Sequence, residues 1–485
     1  MLTIRKLVPE CPSLRFSLEK PLPRQNVSDD MLVVQGWVCT DAAVTQLVVS
    51  SNEKQSDYPF NQPRPDVAER LKASGPIWPV VGFLTTLALE QPLHRCPLRI
   101  GVKINDTVHW LYEIAQPVPP LNGILLGGSN SLTRFGLLHG MQKYFPGLKT
   151  LAAGASSSLQ NLFELLRHKD EIATLDFVVT ESNINDSQIA FQLKDMQLVL
   201  ENIDWYYREL SLFAVPVVVI LFPYSGTGEM GETPQEALRV TLRHLSNAQK
   251  YGFYVIDLVT VFAPLSVADK RLIMSDTRHP LQALMYQLGE NLAGFLGSHA
   301  HSMWRRQTDG TALLQHDVYL FNDHDDEKVS KENSWFSECL LPVSQTIRVP
   351  VRYIGKRAIG IATWSDDVSA VLIASSKTRI VKWFNSFVAF NELLAPLLVD
   401  KKTVLAPGGK KKPTEKCLNL PGGAKAKSET MVIGLLLRNV DAILEGESNM
   451  GAFYLQELIP ELGPFIFTMK FYLKKRALLD KVLPS

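Results

Sequence analysis

Between residues 121 and 300 the chain alternates short apolar runs with longer amphipathic ones, and few architectures accommodate that rhythm. The apolar runs fall at 124–128, 149–154, 175–181, 215–223 and 253–258. Each is too short for a helix and is bounded by glycine, proline or polar residues, so each reads as a strand buried on both faces. Helical spacing of apolar residues fills the intervals at 159–166, at 189–210 as one long helix carrying Leu193, Met196, Leu198, Leu200 and Ile203, at 234–251 with Pro234 in the first turn, and at 283–296. A strand followed by a helix and then another strand returns the chain in the same direction. The expected fold class is therefore α/β, a doubly wound parallel sheet with helices on both faces.

The flanks read differently. Residues 1–118 are β-rich, with candidate strands at 31–39, 45–50, 81–89 and 98–104 separated by Pro, Asn, Asp and Ser clusters, the pattern of an antiparallel sandwich. Pro117, Pro119 and Pro120 read as a stiff linker. After residue 300 strand patterns return at 311–314, 346–351, 358–363, 370–375 and 431–437. A chain of 485 residues exceeds one ordinary core. The expected organisation is multidomain: an N-terminal β-rich domain at 1–118, a central αβα domain at 121–300 and a C-terminal β-rich domain at 301–485. The lysine- and glycine-rich stretch 401–427 reads as a solvated loop, an electrostatic hook for an anionic ligand being the alternative. The last segment mixes Phe465, Ile466, Phe467, Met469, Phe471 and Tyr472 with Lys470, Lys474, Lys475, Arg476 and Lys481. It reads as a docked helix with a basic outer face, contact with a membrane surface being the alternative.

Charge and cysteine content exclude several classes. The formal net charge is +1, which gives no global signature for nucleic acid. The five cysteines, Cys11, Cys39, Cys96, Cys339 and Cys417, are scattered, with no CxxC pair and no Cys/His ligand spacing. They read as buried free thiols rather than as a disulfide scaffold or zinc site. No bound metal or cofactor is expected. The histidines at 139, 168, 299, 301, 316 and 324 lack metal-ligand periodicity, and His324 lies in an acidic stretch, Asn322 to Glu327, that reads as a solvated turn. The amino terminus lacks the apolar core of a signal peptide, and no apolar run reaches the roughly 18–20 residues of a spanning helix, so the expected location is the cytoplasm.

Chemistry gathers at the carboxyl ends of the strands, where open α/β sheets bind ligands. The first strand runs into Gly127-Gly128-Ser129-Asn130, a turn in which Ser129 or Asn130 is also a candidate helix N-cap. The second ends at Gly154, the third at Asn183-Ile184-Asn185-Asp186, and Asp276-Thr277-Arg278-His279-Pro280 follows the fifth. A serine hydroxyl is a weak nucleophile until a base takes its proton, so His279 is the candidate base for Ser129. Asp276 is the candidate group that holds the imidazole tautomer. The backbone N–H groups of Ser129 and Gly154 and the Asn185 amide are candidate donors to a developing oxyanion. Without chemistry, the Asp276 stretch reads as an Asp-stabilised turn before a proline-initiated helix, and Asn185 as a loop residue bonded to its own backbone.

The order and spacing of these blocks resemble the SGNH/GDSL hydrolase superfamily over about residues 121–300. Gly127-Gly128-Ser129 resembles its first block, Gly154 its second, Asn185-Asp186 its third and Asp276 to Pro280 its last. The resemblance implies a flavodoxin-like three-layer αβα fold, a nucleophile at Ser129, a base at His279, an orienting acid at Asp276, and an oxyanion hole from Ser129, Gly154 and Asn185. Two positions depart from the family pattern. Gly128 stands where the first block usually has Asp, and Asn183 stands where the third usually has Gly, which leaves Asn183 as an alternative donor to Asn185. The expected activity is a serine esterase acting on O-acyl, chiefly O-acetyl, groups of a carbohydrate or another acylated small molecule. An O-acetyltransferase of a bacterial polysaccharide, drawing on a soluble donor such as acetyl-CoA, uses the same triad. A non-catalytic glycan-binding or scaffolding protein is the alternative of a different class.

Overall fold

The computed structural model describes residues 3–7, 11, 13–21, 31–51, 54–72, 79–89, 97–115, 121–224, 234–300, 302–305, 313–321, 328–333, 336–385, 387–418, 420, 422–426, 429–442, 444 and 450–482. The proline linker at 117–120, Cys96, His301, Thr311, Ala312 and the acidic stretch around His324 lie outside them. The chain divides into two compact units, Met1–Pro120 and Leu121–Ser485.

The first unit is built from two antiparallel sheets. One contains Met31–Cys39 paired with Val80–Ala88, and the other contains Val44–Ser51, Leu98–Ile104 and Thr107–Ala115. Alternate residues of Met31–Cys39, namely Leu32, Val34 and Val38, enter one core with Leu47, Ile100 and Val102 from the other sheet. That is the period-2 burial of a sandwich. One short helix, Pro65–Lys72, interrupts the otherwise β-built unit.

The second unit is mixed α/β. Its parallel sheet has the spatial order Lys149–Thr150, Gly123–Leu126, Phe177–Thr180, Val217–Leu221, Tyr254–Asp257 and Phe453–Tyr454, every pairing parallel. The first five strands in chain order therefore lie in the sequence 2-1-3-4-5, so the strand order reverses beside Gly123–Leu126. Side chains alternate between two cores. Ile124, Leu126, Val178, Val217 and Val219 pack with the helices Ser158–Arg167, Met196–Leu210 and Gln235–Tyr251. Leu125, Phe177, Val179, Val218 and Ile220 pack with Leu137–Gln142 and Gln282–His299. Both faces are thus covered, which is why these strands read as unbroken apolar runs.

Two expectations fail for local reasons. The single helix at 189–210 is broken into Asn183–Leu193 and Met196–Leu210. Lys194 adopts a left-handed φ of 57°, and the Asp195 carboxylate caps the second helix by accepting from Leu198 N–H. Apolar periodicity ran through the break because Ile189, Ala190 and Leu193 before it and Val199 and Ile203 after it enter one core. The second strand is also shorter than 149–154, although Leu151 and Ala153 N–H still donate to Leu125 and Gly127 carbonyls and carry the chain along the first strand.

The segment between Gln282–His299 and Phe453–Tyr454 forms two antiparallel sheets. One includes Ser337–Pro342, Lys356–Trp364, Val388–Leu398 and Met431–Asn439. The other includes Val404–Pro407, Ser369–Ala374 and Arg379–Phe384. Ile361, Leu435, Val371 and Leu405 fill the space between them. The opposite face of the first sheet sends Leu340, Trp364, Phe390 and Leu436 into the core around Ser158–Arg167. Of the strand expected at 311–314 only Leu313 and Leu314 lie within the described residues, just before a strand at His316–Leu320, and the one expected at 346–351 shrinks to Ile347–Arg348 before a 3-10 turn at Val351–Tyr353. The stretch at 401–427 is not wholly a solvated loop. It contributes the strand Val404–Pro407, and the Glu415 carboxylate accepts from the buried Lys382 ammonium and from Leu394 and Ala395 N–H. After this β-rich segment the chain returns to the parallel sheet and ends in the helix Leu462–Val482. Leu462, Phe465 and Ile466 pack on the sheet's second core, while Phe467, Phe471 and Tyr472 are exposed. No helix among the described residues is long and apolar enough to cross a membrane. Cys11, Cys39, Cys339 and Cys417 are free thiols, but Cys339 is exposed rather than buried.

The helices Leu137–Gln142 and Gln282–His299 meet at Gly140 and Gly289. A Cβ at 289 would run into backbone atoms of Leu137, Gly140 and Met141, whereas one at Gly294 of the same helix would meet nothing within 4 Å. Gly289→Ala is expected to lower the thermal midpoint, since overpacking against backbone costs about 1–3 kcal/mol. Gly294→Ala is expected to raise it, as helical glycine gives way to alanine with a gain of up to about 1 kcal/mol. Thermal unfolding of the two variants checks the opposite signs.

Candidate active site

The first strand, Gly123–Leu126, delivers Ser129 to the start of a one-turn helix, Ser129–Leu132. The N-cap is Gly128, with no side-chain cap bond, so neither Ser129 nor Asn130 has the capping role that the sequence alone allows. The serine hydroxyl is engaged elsewhere: Ser129 Oγ lies 2.7 Å from His279 Nε2. The other ring nitrogen, His279 Nδ1, lies 2.7 Å from Asp276 Oδ2 and 2.9 Å from Oδ1.

The loop that carries Asp276 and His279 is tied at both ends and in the middle. Met274 and Pro280 form an antiparallel bridge, and Ser275 donates through both its N–H and its hydroxyl to the His279 carbonyl, each at 2.8 Å. Asp276 Oδ1 accepts the N–H groups of Arg278 at 2.7 Å and His279 at 2.9 Å. The Asp-stabilised turn and the imidazole-orienting carboxylate are therefore the same arrangement. The helix after it begins at Gln282, with Leu281 as its N-cap. Partial burial works against the Asp276 charge, but the hydrogen bond to His279 and the two N–H donors outweigh it and hold the carboxyl below the usual aspartate range. Asn130 adds a bond from its amide to the Arg278 carbonyl at 3.2 Å, which links the serine turn to this loop.

Three candidate donors belong to residues that line one cleft. The N–H groups of Ser129 and Gly154 have no partner among the described residues, nor does the Asn185 side-chain amide. Ser129, Gly154 and Asn185 all line one cleft with His279. Asn183 does not take this role. Its amide donates to the Phe222 carbonyl at 2.8 Å and to Thr241 Oγ1 at 3.3 Å, while its oxygen accepts Phe222 N–H at 3.0 Å. It is a buried strut between two strand ends. Asn185 is likewise not a self-bonded loop residue, since it sits in the first turn of Asn183–Leu193. Asp186 anchors the Gly154 side of the cleft: its carboxylate accepts both the N–H and the hydroxyl of Ser158, at 2.9 and 2.7 Å, and meets His244 Nε2 at 3.1 Å.

Of the two departures from the resembled pattern, Asn183 is the strut just described and Gly128 has a counterpart of its own. A Cβ on Gly128 would occupy the position of Asn185 Nδ2, so glycine at 128 and this placement of Asn185 go together. Beneath the turn lies a residue that the sequence reading missed. Glu181, at the end of Phe177–Thr180, is 2 % exposed. Its Oε1 accepts Gly128 N–H at 2.6 Å and the Ser131 hydroxyl at 2.9 Å, while Oε2 is buried without a partner. Burial raises its carboxyl above the ordinary glutamate value, against the opposing pull of the Gly128 and Ser131 donors. The signal for it was a charged residue closing an otherwise apolar run.

The cleft has a volume of about 400 Å³, within the range of small-molecule sites. Ile184, Gln188 and Arg278 form one side, and Asn333, Phe336, Phe387 and Val388 from the β-rich segment form the other. Nothing local in the sequence marks that second wall, which lies far along the chain from Ser129. Ser157 reaches across the same junction, donating to the buried Glu392 carboxylate at 2.8 Å. Burial also raises the Glu392 carboxyl.

Comparison with known proteins places few constraints. No family model matches the chain, and no curated protein is similar to it. Among solved structures, the acetyl xylan esterase AlAXEase is similar over 37 % of this chain and 98 % of its own, at 15 % identity and a TM-score of 0.30. Axe2, an acetylxylan esterase from Geobacillus stearothermophilus, is similar over 38 % and 97 %, at 13 % identity and a TM-score of 0.27. A peptidoglycan O-acetylesterase extends over 61 % of this chain and 83 % of its own, at 12 % identity and a TM-score of 0.27.

Two outcomes follow for the turn. Gly128→Ala displaces the Asn185 amide, the end of a flexible side chain. Reactivity of Ser129 toward an activated acyl ester is expected to fall about a hundredfold, the usual effect of losing one oxyanion donor, with only a small change in thermal midpoint. Glu181 bears on pH. Its folded-state value is raised, so the unfolded chain releases this proton first and the folded state loses stability as pH rises above the ordinary glutamate range. Glu181→Gln has no such proton, so its stability relative to wild type is expected to improve between pH 4 and pH 7, as read by denaturant unfolding at both.

Proposed function

We infer that the second unit is a serine-dependent ester hydrolase of the SGNH/GDSL type, acting on O-acyl groups, chiefly O-acetyl, of a carbohydrate. The observation that carries this reading is the unbroken hydrogen-bonded chain from Ser129 Oγ through the His279 ring to Asp276, at 2.7 Å for both links. His279 Nε2 takes the hydroxyl proton as Ser129 Oγ attacks the ester carbonyl. Asp276 fixes the tautomer by accepting from Nδ1 and stabilises the imidazolium that forms. The carbonyl oxygen becomes an oxyanion and meets the N–H groups of Ser129 and Gly154 and the Asn185 amide. These are fixed in advance and need no reorganisation at that moment. His279 then protonates the sugar oxygen as its bond to the acyl carbon breaks, releasing the sugar hydroxyl and leaving an acetyl group on Ser129, which water attacks with His279 again as base, freeing acetate and the serine hydroxyl. The open cleft walled by Phe336 and Phe387 suits a sugar ring beside the scissile ester.

The test is release of p-nitrophenol from p-nitrophenyl acetate, with covalent labelling by a fluorophosphonate probe. Wild type is expected to turn over and to label at Ser129. Ser129→Ala is expected to lose labelling and at least about 10³-fold in kcat, and Asp276→Asn a similar factor with labelling slowed. Equal activity of wild type and Ser129→Ala, or a folded wild type that neither labels nor turns over, removes the reading.

A further inference from the structure

Arg278 is placed in the cleft beside the candidate base, yet nothing in the acyl-transfer chemistry uses its charge. Its backbone is held on both sides, with the N–H donated to Asp276 and the carbonyl accepting from Asn130. Its side chain is directed by a bond from Nη1 to Gln188 Oε1 at 2.8 Å, from the helix that also carries Asn185. Gln188 is neutral, and no carboxylate among the described residues pairs with the guanidinium. The described lining of the cleft contains one cation, Arg278, and no acidic side chain. A guanidinium carries five N–H donors in a planar fork that matches a carboxylate, and one Nη1 bond to an amide leaves most of them for a ligand. A neutral second residue that orients an arginine without neutralising it is what an anion-recognition site needs.

We propose that Arg278, oriented by Gln188 in the cleft that also holds Ser129, is a specificity-determining residue that selects a substrate bearing a carboxylate next to the ester, an O-acetylated acidic sugar. The inference rests on the esterase reading for its catalytic consequence, but the carboxylate site stands on the placement of Arg278 alone. The scissile ester lies at Ser129, the sugar ring between Phe336, Phe387 and Ile184, and the carboxylate against Arg278. Because the attraction is between charges in a partly open cleft, it weakens as salt is added.

The experiment has a kinetic and a binding arm. In the first, kcat/KM is measured for O-acetylated galacturonate oligomers and for O-acetylated xylo-oligosaccharides, which lack the acid, with wild type, Arg278→Gln and Arg278→Lys. Wild type is expected to favour the acidic substrate. Arg278→Gln is expected to reduce the ratio of the two kcat/KM values by about ten- to a hundredfold, and Arg278→Lys to restore part of it. An unchanged ratio in Arg278→Gln, or a wild type that favours the neutral sugar, overturns the proposal. In the second arm, Ser129→Ala protein is titrated calorimetrically with galacturonate oligomers, galactose oligomers and succinate, with and without Arg278→Gln. Binding of galacturonate alone, lost in Arg278→Gln, supports an acid on the sugar. Equal binding of galacturonate and galactose overturns it, and binding of succinate in preference moves the carboxylate to the acyl group and overturns the sugar assignment. If no ester is cleaved by wild type, the esterase reading fails, while the binding arm still decides whether Arg278 recognises a carboxylate.

Discussion

The bond from Gly128 N–H to the buried Glu181 carboxylate fixes the rest of the site. It ties the turn after the first strand to the end of the third, its neighbour in the parallel sheet, and Ser131 adds a second link to the same oxygen. A buried acceptor is hard to replace, because a backbone N–H left without it would be unpaired out of water. The turn is therefore held at two points, and Ser129 between them lies 2.7 Å from His279 Nε2. The orphaned second oxygen of Glu181 is a cost carried at this point and nowhere offset by a visible partner. Strain and unmet polar groups of this sort persist where the surrounding packing over-determines the position.

The same logic extends outward. Asp186 takes both hydrogen-bond donors of Ser158 and so steadies the stretch that follows Gly154. Ser157, next to it, is held by Glu392 from the β-rich segment. The stretch that carries Gly154 is thus braced from two sides, one inside the αβα layer and one from a strand more than two hundred residues later. The β-rich segment is accordingly part of the site's scaffold as well as its wall, and Phe390 and Trp364 bury that junction in the same core as Phe163 and Leu159.

How much of this was legible in the sequence depends on how local the cause was. The five strands of the central sheet were visible because burial on both faces makes them continuous apolar runs, and 31–39 and 98–104 were visible as short β-rich runs bounded by polar and proline clusters. The break at Lys194 was not, since one left-handed residue leaves the apolar spacing on either side intact. Ser129, Gly154 and Asn185 were legible because each comes soon after a strand, and topology brings strand ends together; Asp276 and His279 follow two further helices, Leu258–Phe262 and Val267–Ile273, and were legible as an Asp-x-x-His pair before a proline. The choice between Asn183 and Asn185 needed coordinates, because it turns on which amide Phe222 has already occupied. Glu181 was hidden as an ordinary strand end, and Asn333, Phe336 and Phe387 were out of reach because their proximity to Ser129 is set by sheet packing and not by any local pattern.

The parallel sheet takes its sixth strand, Phe453–Tyr454, from beyond the whole β-rich segment. Until that strand arrives, Tyr254–Asp257 is an open edge with unpaired backbone groups. During synthesis the chain must therefore emerge through about residue 454 before the sheet is closed, with nearly two hundred intervening residues folding in the meantime. A pairing of that sequence separation costs more loop-closure entropy than the local pairings of the same sheet. The residues of the cleft's second wall, Asn333 to Val388, lie within that same connection, so the assembled site depends on chain well beyond the helices and strands that carry Ser129 and His279.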